Sequence, residues 1–112
     1  MSRQEREKIA SDNLRSFFNP MMKRHIGCVS INTHNKIEHE RRKFELAYQL
    51  KSEGNIIATE LVTKKNLRPD LVILDVSPPI CYEIVNTETI ESMKNKKVNY
   101  HPLRVIFMEA KQ

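Results

Sequence analysis

Two carboxylates stand where a carboxylate is costly. Asp70 follows Arg68-Pro69 and opens the apolar run Leu71-Val72-Ile73-Leu74. Glu83 interrupts a second apolar run, Cys81-Tyr82-Glu83-Ile84-Val85, just past a turn at Pro78-Pro79. Side chains alternate across a strand, so Asp70 shares a face with Val72 and Leu74, and Glu83 shares one with Val85 and Thr87. If the two runs pair through the Pro-Pro turn, the acids approach each other near one end of a sheet. Two close carboxylates repel unless a cation sits between them, and oxygen ligands suit Mg²⁺ or Mn²⁺. Glu60, near the exit of an earlier apolar run, and Glu40, on the helix before it, are placed to join them. Such a cluster fits hydrolysis of a phosphodiester: a metal acidifies a bound water and neutralises charge on the phosphate, and a lysine steadies the transition state. Each acid also has a plainer reading. Asp70 could terminate a loop, while Glu60 and Glu40 could face solvent. Glu83 resists that reading best, because it breaks an apolar strand.

The elements that must position these acids follow from periodicity and punctuation. Residues 2–25 read as an amphipathic helix with Ile9, Leu14, Phe17 and Phe18 on one face, ending at Asn19-Pro20. Residues 26–32 read either as a short strand or as a packed connection. Asn35 and Glu38 have the spacing of a capping box at the head of a helix that Gly54 stops. Its expected core face is Ile37, Phe44, Ala47, Tyr48 and Leu50. Strands are expected over 55–62, 71–76 and 81–86, then a helix over 87–97 with Thr87 as N-cap, then a strand over 103–110. Short connections make the first three strands an antiparallel meander, and the helical crossover adds the last one in parallel. The fold class is therefore α/β, a mixed sheet flanked by helices.

The whole chain, 112 residues, suits one domain: an N-terminal extension over 1–34 and a core over 35–110. Charges of both signs are mixed, which argues against a disordered tail. The formal charge of +5 favours contact with polyanions. Basic clusters that could meet a phosphate backbone are Arg41, Arg42 and Lys43, then Lys64, Lys65 and Arg68, then Lys94, Lys96 and Lys97, although solvated charged faces look the same in sequence. No aromatic residues interleave with these runs as they do in single-strand binders. Cys28 and Cys81 lack zinc spacing and read as reduced thiols. His25, His34, His39 and His101 are scattered; His39, beside Glu40, reads as a surface histidine at the rim of the site. No apolar run spans a bilayer and residues 1–13 are too charged for a secretory signal, so an intracellular, cytoplasmic protein without a membrane partner is expected.

From Lys36 to Ala110 the sequence resembles the PD-(D/E)xK nuclease superfamily, the fold of many restriction enzymes and archaeal Holliday-junction resolvases. Three pieces carry the likeness: the acid-headed helix through Gly54 to a strand ending at Glu60; the literal Pro69-Asp70; and Glu83, followed by a helix and a last strand. The resemblance implies a restriction-endonuclease-like sheet and metal-dependent endonuclease activity on duplex or branched DNA, often as a homodimer. A viral or plasmid-borne member would act inside its host cell. It implies Asp70 and Glu83 as ligands of Mg²⁺ or Mn²⁺, Glu40 as a supporting helix acid and Glu60 as an extra ligand. The family's lysine belongs two residues after Glu83, where this chain has Val85. Lys43, Lys94 and Lys97 are the lysines that could reach in from neighbouring helices. Without one of them, the fold would serve as a catalytically degenerate DNA-binding or protein-interaction module.

Overall fold

The computed structural model describes residues 1–19, 21, 25–86 and 88–110, and these form three helices and four strands. The first helix, α1 (Arg3–Phe17), starts at a capping box: Ser2 Oγ accepts from the Glu5 N–H and Glu5 Oε1 accepts from the Ser2 N–H. Its end coincides with Phe18, whose extended backbone leaves the helix. The expected stop at Pro20 lies outside the described residues.

The second helix, α2 (Ile37–Ser52), departs from the expected pattern at its head and in part of its face, where only Ala47 and Leu50 of the expected residues are buried. Lys36 is the N-cap and no side chain caps it; Asn35 instead donates through Nδ2 to Glu40 Oε2. The Asn35–Glu38 box is thus absent because Asn35 is drawn into the Glu40 hydrogen-bond network. The buried face is Lys43, Leu46, Ala47 and Leu50, while Ile37, Phe44 and Tyr48 are largely exposed. Both stripes have helical spacing. The one that wins places Leu46, Ala47 and Leu50 on Ile57, Leu71 and Ile73, and its register turns Lys43 inward toward acids. Gly54 follows in the left-handed region, at φ 89°, and Arg6 donates to its carbonyl.

The sheet has the order β1 (Ile57–Ala58), β2 (Leu71–Ile73), β3 (Ile80–Val85), β4 (Arg104–Glu109). The first two pairings are antiparallel and the third is parallel, as the meander and helical crossover require. The crossover is α3 (Ile90–Tyr100), capped by Thr89, whose Oγ1 accepts from the Ser92 N–H. The proposed cap Thr87 lies outside the described residues. Strand β1 is far shorter than expected, because Glu60 turns into the left-handed region at φ 62° and leaves the ladder. Residues 26–32 are a packed connection, bridged to the sheet from Ile26 to Ala58 and packed on it through Val29.

Helices cover both faces. On one side α2 packs on Ile57, Leu71 and Ile73. On the other, Ala10, Leu14 and Phe18 join Ala58, Val72, Leu74, Cys81, Tyr100 and Leu103. Helix α1 is therefore no appendage: it is the outer layer of that core. Asn13 ties it down, donating through Nδ2 to the carbonyls of Leu74 and Val76 at 2.8 and 2.7 Å. Cys81 is buried, Cys28 is exposed and neither is in a disulfide. Among the described residues, no helix is long and apolar enough to cross a membrane.

Candidate active site

The register of β2 and β3 decides where the acids meet. Leu71 pairs with Tyr82, so one step back Asp70 lies across from Glu83. The backbone holds it there: Asp70 N–H donates to Tyr82 O at 3.0 Å, and its Oδ2 accepts from the Ile84 N–H at 2.7 Å. Both strands are fixed by apolar burial on their other residues, so neither acid can retreat without moving the core. Glu83 answers by holding a proton more tightly. Burial pushes its carboxyl up to about 7, and the charge of Asp70 and a hydrogen bond with it add to the rise. A hydrogen bond from Tyr100 and the charge of Lys96 oppose it.

Glu40 has the opposite environment. It is half-buried, which disfavours its charge, but it accepts from the Asn32 N–H at 2.7 Å, the Lys43 ammonium at 2.6 Å and Asn35 Nδ2 at 3.1 Å, and it meets His39 Nδ1 at 2.6 Å. These contacts bring its carboxyl down to about 2. His39 continues the chain, with Nε2 3.2 Å from Asp70 Oδ1. The imidazole thus bridges the helix acid and the strand acid, and it is 12% exposed rather than a surface residue. Lys43 is enclosed, 2% exposed, with Glu40 at 2.6 Å and Glu60 at 3.9 Å. The order Glu60–Lys43–Glu40–His39–Asp70–Glu83 runs as one polar seam across the sheet under α2.

No family model, curated protein or solved structure matches the chain.

The far flank comes from α3. Tyr100, buried, donates its hydroxyl to Glu83 Oε1 at 2.6 Å, a contact that together with burial drives the phenol's own proton affinity well above the ordinary value. Lys96 pairs with Glu88 at 3.0 Å and also acts on Glu83. Ser92, Lys96 and Tyr100 recur every four residues and present one face to these acids; Ser92 Oγ donates to Glu88. Of the lysines that could have moved in, Lys94 and Lys97 face solvent and Lys43 is committed to Glu40 and Glu60. Lys96, which stood in the sequence only as part of a basic cluster, is the ammonium on the Glu83 side. Val85 sits on β3 opposite Glu109 of β4 and contributes no charge.

Among the described residues, no three of His, Cys, Asp and Glu form a group that could hold a metal ion, so Glu60 does not complete a three-acid set with Asp70 and Glu83. Asp70 and Glu83 remain as a pair of carboxylates held side by side. Their oxygens are of the type that binds Mg²⁺, which is commonly held by one or two ionised carboxylates with water and phosphate completing the shell; Glu83 would have to give up its proton to serve. The expected phosphate-contacting residues Arg41, Lys64, Lys65, Arg68, Lys94 and Lys97 are exposed and Arg42 is half-buried; Lys65 also donates to the His101 carbonyl.

Proposed function

We propose that this protein is a divalent-metal-dependent DNA endonuclease of restriction-endonuclease-like fold, a divergent relative of the PD-(D/E)xK nucleases working on intracellular DNA. The observation that carries the reading is the enforced meeting of Asp70 and Glu83 on adjacent antiparallel strands, with an acid–histidine–lysine seam behind it. Asp70 and Glu83 would hold Mg²⁺ or Mn²⁺. When bound, such an ion supplies an acidified water and neutralises charge on the scissile phosphate. His39 fixes the orientation of Asp70 by bridging it to Glu40, and Tyr100 does the same for Glu83. Lys43, enclosed between Glu40 and Glu60, keeps the helix acid ionised and in place. Lys96, half-buried and facing Glu83, is the ammonium able to touch a phosphate where Val85 has no donor. Exposed Arg41, Lys64 and Arg68 supply backbone contacts, which position DNA without reading its sequence, and a homodimer would address both strands of a duplex.

The test is cleavage of plasmid and branched DNA with Mg²⁺, Mn²⁺ or chelator. Metal-dependent cleavage lost in Asp70→Ala and Glu83→Ala, and strongly slowed in Lys96→Ala, supports the reading. Cleavage unchanged in those variants rejects it. A second reading has its own support. Val85 at the motif lysine's place, and no third metal-ligating side chain among the described residues, also suit a degenerate site kept for binding. That reading expects salt-dependent DNA binding without cleavage, indifferent to both acids.

A further inference from the structure

On the other side of Tyr100 from the acid pair lies a cleft of about 210 Å³. Its floor is apolar, built by Phe17, Leu67 and Leu103, and polar groups stand around it: Lys64, Lys65 and Asn99. These residues come from the end of α1, the turn after β1 and the end of α3, so nothing in the order of the sequence places an aromatic ring beside two lysines. The turn is rigid. Thr63 Oγ1 accepts from the Leu67 N–H, the Thr63 N–H donates to Leu67 O, and Asn66, at φ 65°, closes back on Thr63 O. The Lys64 N–H is bonded to Phe17 O at 3.0 Å, and Lys65 Nζ to His101 O at 2.7 Å. The ammonium groups therefore sit on a backbone already fixed before any ligand arrives.

We infer that this cleft seats one unstacked base of a DNA strand, with the adjoining phosphate on Lys64. This inference rests on the nuclease reading and names its substrate class, DNA with unpaired nucleotides. An aromatic face next to a positive rim is the recognition chemistry of single strands: the base stacks on the ring and the backbone follows the charge. The Asn99 amide offers both a donor and an acceptor to a base edge. A base held in a duplex is covered on both faces by its stacked neighbours, so only an unpaired nucleotide can offer a face to this cleft. The cleft and the acid pair share the Tyr100 side chain as a wall, so a strand anchored here has its backbone brought toward Asp70 and Glu83.

The experiment is a titration of the isotope-labelled full chain with thymidine 5′-monophosphate in chelator, followed by NMR at the Leu67 and Leu103 methyl groups. Shifts at both methyls are expected, with affinity lowered roughly tenfold in Phe17→Leu, on the scale of a lost base–aromatic stack, and lowered also in Lys64→Ala. Lys64 is exposed, so the second variant keeps its fold. Absence of these shifts, or equal affinity in both variants and wild type, overturns the inference. So does an equal response to toluene, an apolar ring with no phosphate and no hydrogen-bonding edge. The readout needs no hydrolysis. Methyl shifts without any cleavage keep the cleft and reject the nuclease; metal-dependent cleavage of duplex and branched DNA at one rate, without methyl shifts, does the reverse.

Discussion

Replacing Glu83 by Gln keeps the shape of the side chain and an acceptor for Tyr100 but removes the charge that opposes Asp70. Burial first, and then Asp70, lift Glu83 from 4.5 to about 7. Between those two values the folded protein holds a proton that the unfolded chain has released, so stability falls as pH rises through that window and levels off above it. At about 1.4 kcal/mol for each tenfold step in proton affinity, the full rise amounts to about 3 kcal/mol; partial solvent access to Glu83 reduces this to about 2 kcal/mol. Without metal, Glu83→Gln is accordingly expected to be more stable than wild type at pH 8 by about 2 kcal/mol, and close to it at pH 5. Urea unfolding in chelator at the two pH values measures the difference. Millimolar Mg²⁺ should then reverse the order at pH 8, because wild type gains stability by binding and the variant does not. A stability difference that is the same at pH 5 and pH 8 refutes the repulsion argument. A wild type that Mg²⁺ leaves unchanged refutes the metal assignment.

Lys43→Met should cost about 2 kcal/mol in urea unfolding, since it removes a charge-assisted hydrogen bond from Glu40, which keeps Asn32, Asn35 and His39 as partners; Glu40→Gln in the same background should recover part of that loss. Tyr100→Phe should lower stability by about 2 kcal/mol at pH 8, where Glu83 is ionised and the lost bond is charge-assisted, and by less at pH 5. Because Glu40 is held down to about 2, mainly by hydrogen bonds that overcome burial, its contribution is complete above 4.5 and fades as pH falls toward 2. Glu40→Gln should therefore flatten the acid limb of a stability–pH curve measured by circular dichroism. Leu46→Ala should destabilise by about 2–5 kcal/mol and Phe44→Ala by about 0.5 kcal/mol or less; the opposite ranking would mean that α2 presents its other stripe to the sheet.

The strand acids were legible because a polar interruption in an apolar run is rare and the Pro78-Pro79 turn sets the pairing. The meander and crossover followed from connection lengths for the same local reason. The face of α2 was legible only in part. Ala47 and Leu50 are in the core as their spacing implies, but Ile37, Phe44 and Tyr48 share that periodicity, and nothing within the helix says that Leu46 and a lysine go inside in their place. Lys43 becomes a tolerable interior residue only when Glu40 and Glu60 are in place, and Glu60 arrives through a left-handed residue that ends β1. His39 looked like surface because both its partners, Glu40 and Asp70, are carboxylates whose orientation depends on the packed sheet. Tyr100 carried a usable signal, its four-residue spacing from Lys96 and Ser92, but that spacing counts only once the helix is known to extend to residue 100. The joining of α1 to the core was hidden for a different reason: Asn13 bonds carbonyls more than 60 residues away, and no local pattern encodes such a contact.

That last contact bears on how the chain folds as it leaves a ribosome. The stripe formed by Ala10, Leu14 and Phe18 is made well before its partners Cys81, Tyr100 and Leu103. Until then α1 has an uncovered apolar side and an isolated helix of its length is marginal in water. Contacts of such sequence separation slow folding because the chain loses freedom before it gains them. The nascent N-terminal segment is accordingly the part most in need of a chaperone. A chain cut before α3 should be cleared by proteolysis rather than persist as a smaller domain.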